Sequence, residues 1–141
     1  MRRRLRPVKV AAVETSEAVT QGIRVHVRSK YVAERSRPHL NEFFFVYTIE
    51  IENRGDTTVQ LISRHWIITD AEGNQEEVQG PGVVGEQPVL RPGQRFEYTS
   101  ACPLGTPFGS MRGAYQMVRE DGSEFEAEIA TFRLAQPYAL N

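Results

Sequence analysis

Apolar residues recur in this chain at every second position, and that period decides what it can fold into. From Glu42 to Asn53, Phe43, Phe45, Tyr47, Ile49 and Ile51 share one parity, while Thr48, Glu50 and Glu52 lie on the other. Successive side chains of a strand point to opposite faces, so this pattern reads as a strand with one buried and one wet face. Ile23, Val25 and Val27, alternating with Arg24, His26 and Arg28, read the same way. Between them, Tyr31 to Asn41 is polar, carries Pro38, and is expected to be a long connection.

Further segments repeat the pattern. Asn53-Arg54-Gly55-Asp56 supplies turn chemistry. Val59 to Thr69 is apolar on both parities; Ile62, Trp66 and Ile68 are expected to face the core, and the second apolar face to need a cover, a loop or a partner chain. Asp70 to Gly73 turns into a short acidic strand, Asn74 to Val78. Gly80 to Gly93 holds four glycines and three prolines and reads as a loop, at best with an edge strand. Gln94 to Ala101 places Phe96 with Tyr98, and Gly109 to Arg119 places Met111, Tyr115 and Met117 together. Glu120-Asp121-Gly122-Ser123 is expected to form a type I′ hairpin turn. In Glu124 to Leu134, Phe125, Ala127 and Ile129 have one parity and Phe132 and Leu134 the other, which predicts a bulge near Ala130-Thr131. The nearest thing to a helical segment, Leu5 to Gln21, also alternates at Val8, Val10 and Ala12. About seven short strands with frequent turns indicate one antiparallel sandwich or barrel.

Composition narrows the function classes. No apolar run approaches the ~20 residues that span a bilayer. The start, Met1-Arg2-Arg3-Arg4-Leu5-Arg6-Pro7, is basic, but no apolar stretch follows as in a secretory signal. A cytoplasmic, non-membrane protein is expected. The single cysteine, Cys102, leaves no internal disulfide and no multi-cysteine zinc site, and it reads as a buried small residue. Apart from the four arginines in the first six residues, 13 basic side chains face 18 acidic ones. That mildly acidic body argues against nucleic acid. The arginines themselves read as a solvated tail.

Several segments together resemble the ApaG family: Tyr47-Thr48-Ile49-Glu50-Ile51-Glu52-Asn53, Arg64-His65-Trp66-Ile67-Ile68-Thr69-Asp70 and Gly80-Pro81-Gly82-Val83-Val84-Gly85-Glu86-Gln87-Pro88. Leu90-Arg91-Pro92-Gly93, Tyr98-Thr99-Ser100 and Gly109-Ser110-Met111-Arg112-Gly113-Ala114-Tyr115 continue the match in order and spacing. The resemblance covers residues 9–135, between a basic N-terminal tail (1–8) and a C-terminal tail (136–141). It implies an all-β, antiparallel, fibronectin type III-like (immunoglobulin-like) sandwich of seven to eight strands. It also implies an association with cobalt resistance and magnesium efflux, the origin of the alternative name CorD. The bacterial gene often adjoins one for a diadenosine tetraphosphate hydrolase. Related domains occur in eukaryotic F-box proteins and in a protein that binds a DNA polymerase subunit, uses that imply protein–protein interaction.

Two binding chemistries follow as expectations. Gly80-x-Gly82-x-x-Gly85 has the glycine spacing of dinucleotide-binding loops, but no helix follows it, because Pro88 and Pro92 interrupt the next turns. Consecutive N–H groups of such a turn can still form an anion nest, to which Arg64, Arg91 and Arg112 could add charge. That makes Gly80, Gly82, Gly85, Arg91 and Arg112 the candidate ligand-binding residues for a pyrophosphate, nucleotide or diadenosine polyphosphate. The structural alternative is a loop whose glycines serve only the turn. His26, His39 and His65 are not spaced to share a metal, and Glu124, Glu126 and Glu128 read as a solvated face. No nucleophile or acid–base motif is visible. The expectation is a non-catalytic binding or regulatory module without cofactor, acting on an unidentified protein partner, with a homodimer as one way to cover the Val59–Thr69 strand and Phe44 as an exposed aromatic.

Overall fold

The computed structural model describes residues 13–137, so the alternation at Val8, Val10 and Ala12, the basic tail and the last four residues lie outside it. Nine strands follow one another: β1 Glu14–Thr20, β2 Ile23–Tyr31, β3 Phe43–Asn53, β4 Val59–Asp70, β5 Gln75–Pro81, β6 Val89–Leu90, β7 Arg95–Leu104, β8 Phe108–Arg119 and β9 Glu124–Ala135. Two 3-10 turns, Ala33–Arg35 and Pro38–Leu40, fill the connection before β3. One sheet has the order β1-β2-β3-β7, the other β5-β4-β8-β9, with β6 laid briefly beside β4. Three strands (β2, β3, β7) packed on four (β5, β4, β8, β9) make a fibronectin type III-like sandwich. β1 and the two-residue β6 are additions to it, and with them the expected seven to eight strands become nine.

The alternation does what period two requires. β3 buries Phe43, Phe45, Tyr47, Ile49, Ile51 and Asn53 on one face, each less than a tenth exposed. Met111, Tyr115 and Met117 meet them from β8. The expected bulge in β9 is present: Met111 pairs with Phe132 and Gly113 with Ile129, so Ala130 and Thr131 together stand opposite Arg112. The extra residue reverses parity, and Phe125, Ala127, Ile129, Phe132 and Leu134 are all buried.

Three expectations are corrected. Ile62 does not face the core. A second bulge lies between Leu61 and Ser63, so Val59 and Leu61 point inward before it and Arg64 and Trp66 after it. The mixed parity of β4 is the trace of that bulge. The β8–β9 turn is not type I′. Gly122 N–H donates to Arg119 O, and of the turn residues Gly122 alone takes positive φ, at 87°. This is a type I turn closed by a left-handed glycine. Asp121 accepts from the Ser123 amide and hydroxyl, and those bonds hold its carboxyl below the ordinary value. Phe44, finally, is only half-buried but not free, because the Arg35 guanidinium lies 4.0 Å above its ring.

The two lateral sides of the sandwich differ. On the β1/β9 side the sheets are stitched together: Ser16 Oγ donates to Ala130 O, Ser29 Oγ to Arg133 O, and Glu128 N–H to Thr20 Oγ1. On the β5/β7 side no hydrogen bond joins the two strands among the described residues. The wet face of the first sheet carries its own charge ladder. Arg24 Nε lies 2.8 Å from Glu17 and Nη1 2.5 Å from Glu50, with Glu52 at 3.6 Å. The Arg24 hydrogen bond, with the Arg95 charge behind it, holds the Glu50 carboxyl below its ordinary value of 4.5 against the opposing effect of desolvation. A lowered folded-state pKa gives stability that is present above the unfolded value and lost as pH falls through the folded one. Urea midpoints are therefore expected to fall below about pH 4.5, and Arg24→Gln to shrink that fall.

Candidate functional site

The β4 bulge turns Arg64 inward, where an arginine has no ordinary reason to be. Its strand partner across β5 is Gly80. With no Cβ on Gly80, the guanidinium folds across that residue; a methyl group there would sit 3.1–3.3 Å from its atoms. Arg64 Nη1 then donates to Pro81 O at 2.9 Å and Gly82 O at 2.8 Å. Gly82 makes the next bend at φ 59°, where a Cβ would lie 2.2 Å from Glu86 O. Its N–H donates to Ile62 O, while Val83 and Glu86 exchange N–H···O bonds. The turn drives Val83 into the core at 1% exposure and leaves Val84 at 55%.

That latch forms one wall of a cleft of about 390 Å³, opening on the unstitched β5/β7 side. Its floor is Trp66, the only tryptophan, set edge-on to Tyr47 (5.4 Å), Phe132 (5.9 Å) and Tyr115 (6.5 Å). Val78 and Glu76 line it from β5, and Tyr98, Ser100, Ala101, Cys102 and Pro103 from β7. The Tyr98 and Tyr115 hydroxyls bond each other in the interior. Burial raises the hydroxyl pKa of Tyr47, Tyr98 and Tyr115, and the Arg64 charge pulls modestly against this in all three. Burial, helped by the Glu76 charge, pushes the Cys102 thiol up to about 11. Two units above an ordinary thiol means ~100-fold less thiolate. Cys102 is therefore expected to react with a disulfide reagent at pH 8 at least ~100-fold more slowly than after unfolding in urea.

Of the residues singled out from sequence, Gly80 and Gly82 meet Arg64, and Gly85 stands at the loop tip with φ 81° and open space around it. Gly80 belongs to β5, which runs on to Pro81. Arg91 and Arg112 do not join them. Arg91 is exposed in the turn after β6, its N–H bonded to Gln94 Oε1. Arg112 is exposed on the outer face of β8, in register with Ile67. The histidines stay apart, on β2, the second 3-10 turn and β4; His65 Nε2 lies 3.2 Å from Glu77. Among the described residues no three His, Cys, Asp or Glu side chains are grouped to hold a metal, and no helix is long and apolar enough to cross a membrane. Glu124, Glu126 and Glu128 are all exposed. Sequence reading missed the cleft itself. Its one legible signal was the parity of Arg64 with Trp66, hidden by the assignment of Ile62 to the same face.

The fold and its lateral opening define a class: a fibronectin type III-like sandwich domain with an aromatic side cleft. Comparison with known proteins narrows it. Residues 33–119 match the family model of the ApaG domain. The protein ApaG of Anaeromyxobacter dehalogenans (strain 2CP-C) is 57% identical over 126 residues, 89% of this chain and 99% of the relative. That of Beijerinckia indica is 55% identical over 121 residues, 86% of this chain and 93% of its own. A crystal structure provisionally described as the ApaA protein of Bordetella pertussis is 54% identical, with a TM-score of 0.80 over 82% of this chain and 94% of that one. The chain belongs to the ApaG family.

Proposed function

We propose that this chain is a non-catalytic binding module that holds a protein partner at the open β5/β7 side of its sandwich. The observation that carries this reading is the asymmetry of the two sides. β1 and β9 are closed by side-chain-to-backbone bonds, whereas β5 and β7 each present a free edge beside an aromatic cleft. Free strand edges are templates for another chain, and addition of a partner strand is a common mode of peptide recognition. The non-catalytic part of the reading draws on Cys102 and the three tyrosines, all pushed away from neutral pH instead of toward it. The family's association with cobalt resistance and magnesium efflux would then be exercised through the partner, within the cytoplasm. Polyphosphate binding at the glycine loop has less to draw on. The N–H groups of Gly82, Val83 and Glu86 are already donated, and Arg64 faces loop carbonyls.

The backbone of β7 allows a clean test. Val32 N–H bonds Phe44 O, so the main-chain groups of Phe44 turn toward β2, away from β7. Pro103, opposite Phe44, has no N–H to offer β3. By the alternation of an antiparallel ladder, Ala101 and Thr99 likewise turn their N–H and C=O outward. Ala101→Pro therefore removes an edge donor and no ladder bond. It is expected to leave the unfolding midpoint nearly unchanged and to abolish retention of the partner by tagged protein purified from the producing cells. Retention of the same partner by a folded Ala101→Pro variant would sink the edge reading.

A further inference from the structure

We infer that the cleft reads a carboxylate: the partner segment it accepts is an extended strand that lies along β7 and places one acidic side chain against Arg64, between apolar neighbours. The inference rests on the edge-binding reading above and adds the chemistry of the occupant.

Three observations converge on it. First, Arg64 is half-buried, yet no carboxylate lies within ion-pairing distance of it among the described residues. The other arginines of the sheet faces behave differently: Arg24, Arg28, Arg37, Arg54 and Arg95 all have acidic partners within 4 Å. A guanidinium carries five donors, and the loop uses only Nη1, on Pro81 O and Gly82 O. The remaining donors belong to a side chain whose position is fixed by those two bonds, so an incoming carboxylate meets an ordered fork and pays little to orient it.

Second, the surroundings are those of an apolar strand interrupted by a charge. Trp66, Val78, Val83, Val84 and Tyr98 line the cleft about Arg64. Side chains of an added strand that face inward fall two residues apart. An acidic residue at one inward position therefore puts the inward residues on either side of it against this apolar lining. Third, the free edge of β7 is usable over a short stretch only. Thr99 and Ala101 turn their bonding groups outward, while Pro103 ends the donor row. Edge charges at Glu97 and Arg95 deter unselective pairing. Backbone bonds would give such a strand its affinity, and the Arg64 contact its selectivity.

Two capped heptapeptides test this without altering the protein. One is Thr-Val-Thr-Glu-Thr-Val-Thr, whose Val, Glu and Val share a face; the other carries Gln in place of Glu. Both are titrated into labelled protein, following the Trp66 indole N–H and the Thr99 and Ala101 amides. The Glu peptide is expected to bind at least ~10-fold tighter than the Gln peptide, the value of one charged hydrogen-bonding partner. The advantage is expected to vanish in Arg64→Gln, and in wild type as pH falls through the peptide's own glutamate pKa. Arg64→Gln also loosens the loop, so the peptide pair on wild-type protein is the deciding comparison. Equal binding of both peptides at the β7 edge would overturn the carboxylate inference and leave the edge reading standing. Absence of shifts from either peptide at millimolar concentration would overturn the inference, and the Ala101→Pro result would then decide separately whether the edge reading falls with it.

Discussion

Replacing Asn53 by leucine is expected to cost about 3–5 kcal/mol of stability, more than most truncations in the core. Asn53 ends β3 at 1% exposure, where the alternation would place an apolar residue. Its Nδ2 donates to Thr57 O at 2.8 Å and Leu90 O at 2.9 Å, and its Oδ1 accepts from Gly55 N–H at 2.9 Å. Its own backbone pairs with Gln94 O and the Gly93 N–H. One side chain thus ties the β3–β4 turn to the segment bearing β6. Leucine keeps the volume and strands three polar partners in a dry place. Asn53→Asp separates the possible causes. It keeps the acceptor for Gly55 but aims a second oxygen at two carbonyls, so the buried acid is held protonated and its folded-state pKa is raised. That variant should be nearest to wild type at low pH and lose stability as pH rises from the unfolded aspartate value toward the raised folded one. Urea unfolding across pH measures both; a loss under ~1 kcal/mol for Asn53→Leu would show the hub is not needed.

The second large effect separates two glycines of one motif. Gly82→Ala is expected to cost about 3 kcal/mol and Gly85→Ala about 1 kcal/mol. Both residues have positive φ, at 59° and 81°. At Gly82 the new Cβ meets Glu86 O at 2.2 Å, whereas at Gly85 nothing lies within 4 Å. The alanine at 82 must displace the turn, and with it Val83 and the carbonyl that Arg64 bonds. Its Trp66 fluorescence should therefore change as well, since Val83 and Trp66 share the cleft. Equal and small costs at both positions would mean that the spacing is not held by the loop's own packing.

How much of this was legible beforehand depends on where the backbone keeps its period. Ile23 to Val27, Phe43 to Ile51 and Met111 to Met117 hold strict alternation, and their buried faces follow from it. The β9 bulge was legible too, since Ile129 and Phe132 can both be buried only if a residue is inserted between them. The β4 bulge was not. Leu61, Ile62, Trp66, Ile67 and Ile68 offer apolar residues on both parities, so no burial rule says where the register slips. That slip carries Arg64 inside, and with it the cleft. The glycine spacing was visible, but its cause was not: Gly80 is small for the sake of an arginine 16 residues earlier on the neighbouring strand. Asn53 was read as turn chemistry, while its role as an interior hub depends on Leu90, 37 residues on.

The central claim, that a partner sits at the open side, is met most directly by position-resolved photo-crosslinking in the producing cells. A photoreactive side chain is placed in turn at Thr99 on β7, Glu76 on β5, Val19 on β1 and Glu126 on β9, all exposed positions. This reading expects one discrete adduct from both Thr99 and Glu76 and none from Val19 or Glu126. A second copy of the chain as the captured species would make the partner a homodimer mate at the same edge. Adducts from Val19 or Glu126, with Thr99 and Glu76 silent, would contradict it and move the binding surface to the stitched side.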